Sequence, residues 1–345
     1  MDLALVDYDL PPDLVAQEPA EPRDASRLLV LERQRGAWED RRFSELPALL
    51  RSGDCLVVNR SRVIPARLLG VLEPGGQPVE LLLLRPVGPT RWEALARPAR
   101  RCRARARVIV AGGAARATIV GLGEDGVRVI EVEAPWPVRE LLERHGLPPL
   151  PPYIARHDAP KPEDRDRYQT VYARDDGSVA APTAGLHFTP ELMARVAGAG
   201  VELHYLTLHV GPGSFRPLRG GRVEQHRMES EAAEIPGETA EAVNRAKAEG
   251  RRVIAIGTTT TRALEWAVDG RGRVRARTGA ADLFIYPGHR FRVVDALVTN
   301  FHLPRSTLLL LVTAFCGWDL VLAAYRHAAA ARYRFYSYGD AMLIR

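Results

Sequence analysis

Cysteine is scarce in this chain of 345 residues: Cys55, Cys102 and Cys316 lie far apart, with no CxxC pair. An odd number of isolated thiols excludes a disulfide framework and a cysteine zinc site, and it matches the usage of a reducing compartment. The nine histidines offer no HExxH spacing. His204 and His209, five apart, fall on opposite faces of a strand, so no metal is expected. Long apolar runs are missing too. The longest uncharged one, Ser306 to Trp318, has thirteen residues, where a membrane span takes about 20. The first ten residues hold three aspartates and no basic residue, which predicts no secretory leader. Together these absences predict a soluble, cytoplasmic protein. Lysine is nearly absent: only Lys161 and Lys247 occur, followed by Pro162 and Ala248, so a P-loop is excluded.

What is present is arginine. All but two of the 48 Lys and Arg residues are arginine, and the net charge is +6. Between Ala94 and Gly123 stand seven arginines and no acid, so that one stretch carries more than the whole excess. Local basicity of this kind suits a surface that docks a polyanion; the plainer alternative is a solvated arginine-rich strand. Arg101, Arg103, Arg105 and Arg107 alternate with Cys102, Ala104 and Ala106, and in a strand all four guanidinium groups would share one face.

The length predicts about two domains, and 46% hydrophobic residues suffice for buried cores. A Pro-rich opening leads to a strand at Leu28–Glu32, a helix near Phe43–Arg51 and a strand at Cys55–Asn59. From about 66 to 135 the texture changes to five or six short strands parted by Gly and Pro turns, the pattern of a small antiparallel barrel. Within it Gly121–Gly126 matches GxGxxG literally, but strand follows where a helix should, so it reads as a hairpin turn. Val138–His145 reads as a short helix stopped by Gly146. Beyond Tyr168 strands alternate with helices, with Thr189-Pro190 and Ser306 as helix starts. The expected fold class is therefore α/β: a discontinuous domain, 1–65 plus 136–345, carrying an inserted β-barrel, 66–135.

Four loops fall where open α/β sheets place ligands, beyond the carboxyl ends of strands. They are Ala180–Thr189 with His187, Leu206–Phe215 with His209, Gly257–Arg262, and Asn300–Thr307 with His302. The third, Gly257-Thr258-Thr259-Thr260-Thr261-Arg262, opens a helix with free N–H groups and hydroxyls, a receptor for an anion or carboxylate.

The blocks AAPTAGLHFT, LTLHVGPGSF, GTTTTRALE, YPGHRF, ALVTNFHLPRSTLLLLVTAF and RFYSYGDAM resemble the S-adenosylmethionine:tRNA ribosyltransferase-isomerases of queuosine biosynthesis. EPRDASRLLVL, GDCLVVNRSRVIPARLLG, LPPLPPYIAR and RYQTVYA are similar to the same family, so the likeness runs from Tyr8 to Ile344. Two positions depart from it. Asn59-Arg60-Ser61-Arg62 stands where the family commonly has Asn-Asp/Asn-Thr-Arg, and Glu229 stands where some relatives carry a second histidine after His226 and Met228.

The resemblance implies an α/β domain plus a β-barrel, and a reaction. The ribosyl part of S-adenosylmethionine, the co-substrate, passes to the aminomethyl group of a 7-deazaguanine at the tRNA wobble position. It rearranges there to epoxyqueuosine, with release of adenine and methionine. The partner implied is the tRNA anticodon arm, with Arg101, Arg103, Arg105 and Arg107 as its candidate contacts. A monomer without metal is expected. Proton transfer falls to His187, His209 and His302. Arg262 with Gly257, Thr258 and Thr259 is the candidate receptor for the methionine carboxylate, and Asn300 for a base edge. Asp340 is either a structural lock or an ammonium partner, and Cys55 reads as core. Two competing classes are a non-catalytic RNA-binding protein, which leaves the four loops without purpose, and an NAD-dependent oxidoreductase, which lacks its phosphate fingerprint.

Overall fold

The computed structural model describes residues 6–156, 161–211, 213, 218, 222–226 and 228–345. Pro212, Ser214 and Phe215 of the second candidate loop lie outside the described residues.

Alternation within the strands decides the main architecture. In Cys55–Asn59 every residue is buried, with Cys55 and Val57 in one hydrophobic cluster and Leu56 and Val58 in another. Val253–Ile256 divides the same way, Val253 and Ala255 against Ile254 and Ile256. A strand buried on both faces must be sandwiched between layers. The result is a nine-stranded sheet in the order Arg277–Ala281, Glu231–Ile235, Glu202–Leu208, Cys55–Asn59, Val253–Ile256, Ala296–Asn300, Ala341–Ile344, Arg27–Glu32, Ala37–Arg42. Glu202–Leu208, Cys55–Asn59, Val253–Ile256 and Ala296–Asn300 run parallel, so their carboxyl ends share one edge. Ala341–Ile344 is antiparallel to Ala296–Asn300 and parallel to Arg27–Glu32. The core on one face takes Leu192 and Val196 of the helix Pro190–Gly198. On the other face lie residues of Gly237–Ala248, Thr258–Trp266, Thr307–Cys316 and Trp318–Ala330.

The helix starts follow the sequence signals. Thr189 accepts from Leu192 N at 3.1 Å with Pro190 in the first turn, and Ser306 accepts from Leu309 N at 3.2 Å. The helix expected near Phe43–Arg51 is reduced to a single 3-10 turn, Phe43–Glu45, and one α-turn, Leu46–Leu49.

Along the chain between Cys55–Asn59 and Glu202–Leu208 stands a closed antiparallel barrel of six strands, spanning Arg67–Glu73 to Arg128–Glu133. Its interior is the period-two set Val79, Leu81, Leu83, then Trp92, Ala94, Ala96, then Ala115, Ala117, Ile119. Leu141 and Leu142 of the helix Val138–His145 complete it, each worth about 1.5–3 kcal/mol when fully buried. The literal GxGxxG is indeed the turn joining Ala115–Leu122 to Arg128–Glu133. The two chain crossings between barrel and sheet are tied together. Leu147 N donates to Arg67 O at 2.8 Å, and Gly146 lies so close to Pro65 that a Cβ would fall 1.9 Å from its carbonyl oxygen.

One expectation fails here. Arg101, Arg103 and Arg105 are not in a strand, and only Arg107 is, as the first residue of Arg107–Val110. Tight turns occupy the segment: Arg101 N donates to Pro98 O, Cys102 N to Ala99 O and Ala106 N to Arg103 O. Cys102 buries itself completely in the barrel core, and Arg105 takes a positive φ of 68°. Alternation with small residues imitated a strand period that the backbone does not adopt. All four arginines are nonetheless exposed, and among the described residues none of them forms an ion pair.

Candidate active site

The shared carboxyl edge collects the predicted loops. Asn59, Gly257, Asn300 and His209 end or follow the four parallel strands. The Ala180–Thr189 loop crosses the same edge, with Ala184 packed beside Gly257 and His187 hydrogen-bonded to Asn300. Two cavities open there, and they differ in size and charge.

The larger is a cleft of ≈ 690 Å³ between barrel and sheet. Leu84, Arg85, Trp92 and Glu93 line it from the barrel, Arg139 from the following helix, and Asp176, Gly177, His209, Glu229 and Glu231 from the sheet side. Such a volume suits a nucleoside-sized ligand. His209 is fixed in it by contact, since Gly177 has φ 142° and a Cβ there would lie 3.0 Å from the imidazole Cε1. Its Nδ1 is buried with no partner among the described residues. Burial pulls the His209 pKa below the usual histidine value, helped by Arg139 and opposed by Asp175, Asp176 and Glu234. A neutral imidazole with one nitrogen unengaged can take a proton.

The other two histidines are held differently. His187 is 4% exposed and stacks on Phe43. Its Nδ1 lies 2.8 Å from Ser26 Oγ and its Nε2 3.2 Å from Asn300 Nδ2. Because that amide nitrogen donates, Nε2 accepts and the ring proton sits on Nδ1, towards Ser26. Burial, with the charges of Arg334 and Arg23, pushes its pKa down to about 3. His302 Nε2 lies 2.7 Å from Thr299 Oγ1, its backbone N donates to Tyr325 Oη and its backbone O accepts from Tyr8 Oη. Burial takes its pKa to about 3 as well. Both rings are neutral near pH 7, and both nitrogens of His187 are already engaged.

Arg262, the candidate carboxylate receptor, is buried and paired, with its Nη2 left without a partner among the described residues. It is 3% exposed, its Nη1 meets Glu231 Oε2 at 2.6 Å and its Nε donates to Leu283 O. Glu231 Oε1 in turn accepts from Gly211 N at 2.9 Å, two residues from His209. The charge that the sequence offered to a ligand is thus met by an acid of the neighbouring strand, and the pair buttresses the cleft wall. Thr259 Oγ1 accepts from Asn59 Nδ2 at 3.4 Å, while Thr260 and Thr261 bond back to Ile256 O and Gly257 O. Asp340 is a lock: its two oxygens accept from Arg27 N and Arg334 N. Cys55 is fully buried, with its thiol pushed up to about 12 by burial.

The sequence profile described as queuosine biosynthesis protein matches residues 3–344. The chain belongs to that family. A relative named S-adenosylmethionine:tRNA ribosyltransferase-isomerase, from Symbiobacterium thermophilum, is 53% identical over 344 residues, 100% of each chain. Another of that name, from Heliobacterium modesticaldum, is 51% identical over 345 residues, again 100% of each. A crystal structure of S-adenosylmethionine tRNA ribosyltransferase from Thermotoga maritima is 39% identical and aligns with a TM-score of 0.57 over 99% of this chain and 100% of that one.

The two departures from the family pattern have definite places. Arg60 Nε meets Asp175 Oδ2 at 2.7 Å, next in the chain to the lining residue Asp176, and Glu229 lines the cleft itself. Sequence reasoning missed Glu231 and Arg139. For Glu231 a signal existed: in Glu231–Ile235 it shares the buried phase with Ala233 and Ile235, so a carboxylate occupies an inward position. Among the described residues no three His, Cys, Asp or Glu side chains are grouped to hold a metal, and no single helix is long and apolar enough to cross a membrane.

Proposed function

We propose that the protein is a tRNA-modifying transferase-isomerase that moves the ribosyl part of S-adenosylmethionine onto the aminomethyl group of a 7-deazaguanine at the wobble position. The ribosyl unit rearranges to the epoxycyclopentanediol, and adenine and methionine leave. The observation that carries this reading is the cleft, which joins nucleoside-sized volume to an unengaged His209 in a chain of this family. Its lining carries six carboxylates, Glu93, Glu124, Asp125, Asp176, Glu229 and Glu231, against Arg85, Arg139 and the Arg262 that pairs with Glu231. That balance favours cations, and both the sulfonium and the aminomethyl ammonium are cations. His209 serves as the base, while His187 and His302 orient neighbouring groups. Residues 66–135 act as an inserted unit whose outer arginines meet the anticodon arm, with 1–65 plus 136–345 supplying the sheet edge.

Incubation with S-adenosylmethionine and tRNA bearing the aminomethyl-deazaguanine should release adenine and methionine in equal amounts, while the tRNA gains the ribosyl-derived mass. Release of S-adenosylhomocysteine would mean methyl transfer and would overturn the reading.

The arginine surface has its own test. Replacing Arg101, Arg103, Arg105 and Arg107 together by Gln should flatten the salt dependence of tRNA binding, by a slope of at most about 3–4 if each touches a phosphate. Because all four are exposed, melting should move little, within about 0.5 kcal/mol per change. An unaltered slope would place the RNA elsewhere.

A further inference from the structure

The second cavity at the carboxyl edge is small, ≈ 30 Å³, and is lined by Asn300, His302, Ser306, Leu308, Tyr336 and Ser337 among others. One water needs roughly 10–15 Å³ on this measure, so the space matches a terminal group and not a base. Its lining contains no carboxylate, unlike the large cleft. Unmet polar groups lie in its lining and directly beside it. Asn300 is 2% exposed, its Nδ2 donates to Tyr336 O and His187, and its Oδ1 has no partner among the described residues. The ten-residue helix Thr307–Cys316 begins at its wall, and Ser306 Oγ caps only Leu309 N, leaving the N–H groups of Thr307 and Leu308 unmatched among the described residues. Thr307, between the lining residues Ser306 and Leu308, has a buried Oγ1 likewise without a partner among the described residues.

Donors at a helix N-terminus favour a carboxylate, and a lone buried acceptor favours an N–H group. We infer that this cavity takes the α-amino-acid end of S-adenosylmethionine, carboxylate to the first turn of Thr307–Cys316 and ammonium to Asn300 Oδ1. The inference rests on the reading of S-adenosylmethionine as co-substrate, and it supplies the carboxylate receptor that Arg262, engaged by Glu231, does not. The segment Gly177–Thr183 borders the large cleft at one end and this cavity at the other. His187 is a positioning residue in this arrangement: by accepting from Asn300 Nδ2 it turns Oδ1 towards the ligand.

Thr307→Pro tests the assignment. Proline is well tolerated at the first helical position, and Ser306 already has the extended backbone that must precede it, φ −106° and ψ 153°. The change removes both the N–H and the hydroxyl. Binding of S-adenosylmethionine and of its decarboxylated analogue would be titrated on the full chain with an anticodon stem-loop present. The wild-type protein should prefer S-adenosylmethionine, and Thr307→Pro should weaken it about 10–100-fold while leaving the analogue unchanged. Equal weakening of both ligands, or of neither, overturns the inference. If the proline variant does not fold, Thr307→Val removes the hydroxyl alone, and the same selective loss, about 3–10-fold, is required. A wild-type protein that binds S-adenosylmethionine but does not prefer it to the analogue overturns only this inference. One that binds neither ligand overturns the proposed function with it.

Discussion

His209→Asn should lower turnover by roughly 10²–10⁴-fold, the usual contribution of a positioned general base, while leaving the affinity for tRNA within about threefold. Of the three candidate histidines, His209 alone combines a place in the large cleft with a buried ring nitrogen unpartnered among the described residues. The pH profile gives an independent check. A base acts in its neutral form, and burial draws the His209 pKa below 6.5. The rate should therefore be level across the neutral range and fall as the pH drops through a midpoint below 6.5, and His209→Asn should erase that limb. Single-turnover rates between pH 5 and 8 would measure it. Turnover within threefold of wild type, or an acid limb that survives the substitution, would take His209 out of the proton path.

Arg262→Ala should cost about 3–5 kcal/mol of stability, because it removes one partner of an ion pair whose two side chains are nearly fully buried. The same charge pair replaced as a unit, Arg262→Met with Glu231→Gln, should recover most of that loss, since the glutamine oxygen can still accept from Gly211 N. Urea unfolding of the three proteins, read with a titration of S-adenosylmethionine, separates the alternatives. A stable Arg262→Ala protein with weakened affinity would mean that the guanidinium serves the ligand directly. The expected result is the reverse, a less stable protein whose affinity changes only through the displaced Gly211 and His209.

Where the sequence succeeded, the information was local. Strand periods, the Ser306 and Thr189 caps, and the Gly and Pro punctuation of the barrel each depend on a few neighbouring residues, and each has its counterpart in the structure. The carboxyl-edge loops could be grouped because parallel strands put all their ends on one side. The failures came from partners distant in the chain. Arg262 looked free because nothing near it in sequence meets it, yet Glu231 stands on the adjacent strand thirty-one residues earlier. Arg101 to Arg107 looked like a strand because side-chain alternation was legible, while the turn bonds that break it were not. His187, His209 and His302 looked alike because burial and hydrogen-bond engagement, which separate them, arise only on folding.

The place of Ala341–Ile344 inside the sheet bears on how the molecule is made. That strand lies between Ala296–Asn300 and Arg27–Glu32, all four of its residues buried. During synthesis Arg27–Glu32 emerges early, but its parallel neighbour leaves the ribosome more than three hundred residues later. At about 5–20 residues per second that is a wait of roughly 15–60 s, during which Leu28 to Leu31 have no neighbour on that side. The barrel strands, Arg67 to Glu133, meet no such delay and can close while the rest is still being translated. Nascent chains stalled before residue 341 should accordingly carry a protease-resistant barrel beside N-terminal strands still open to chaperones.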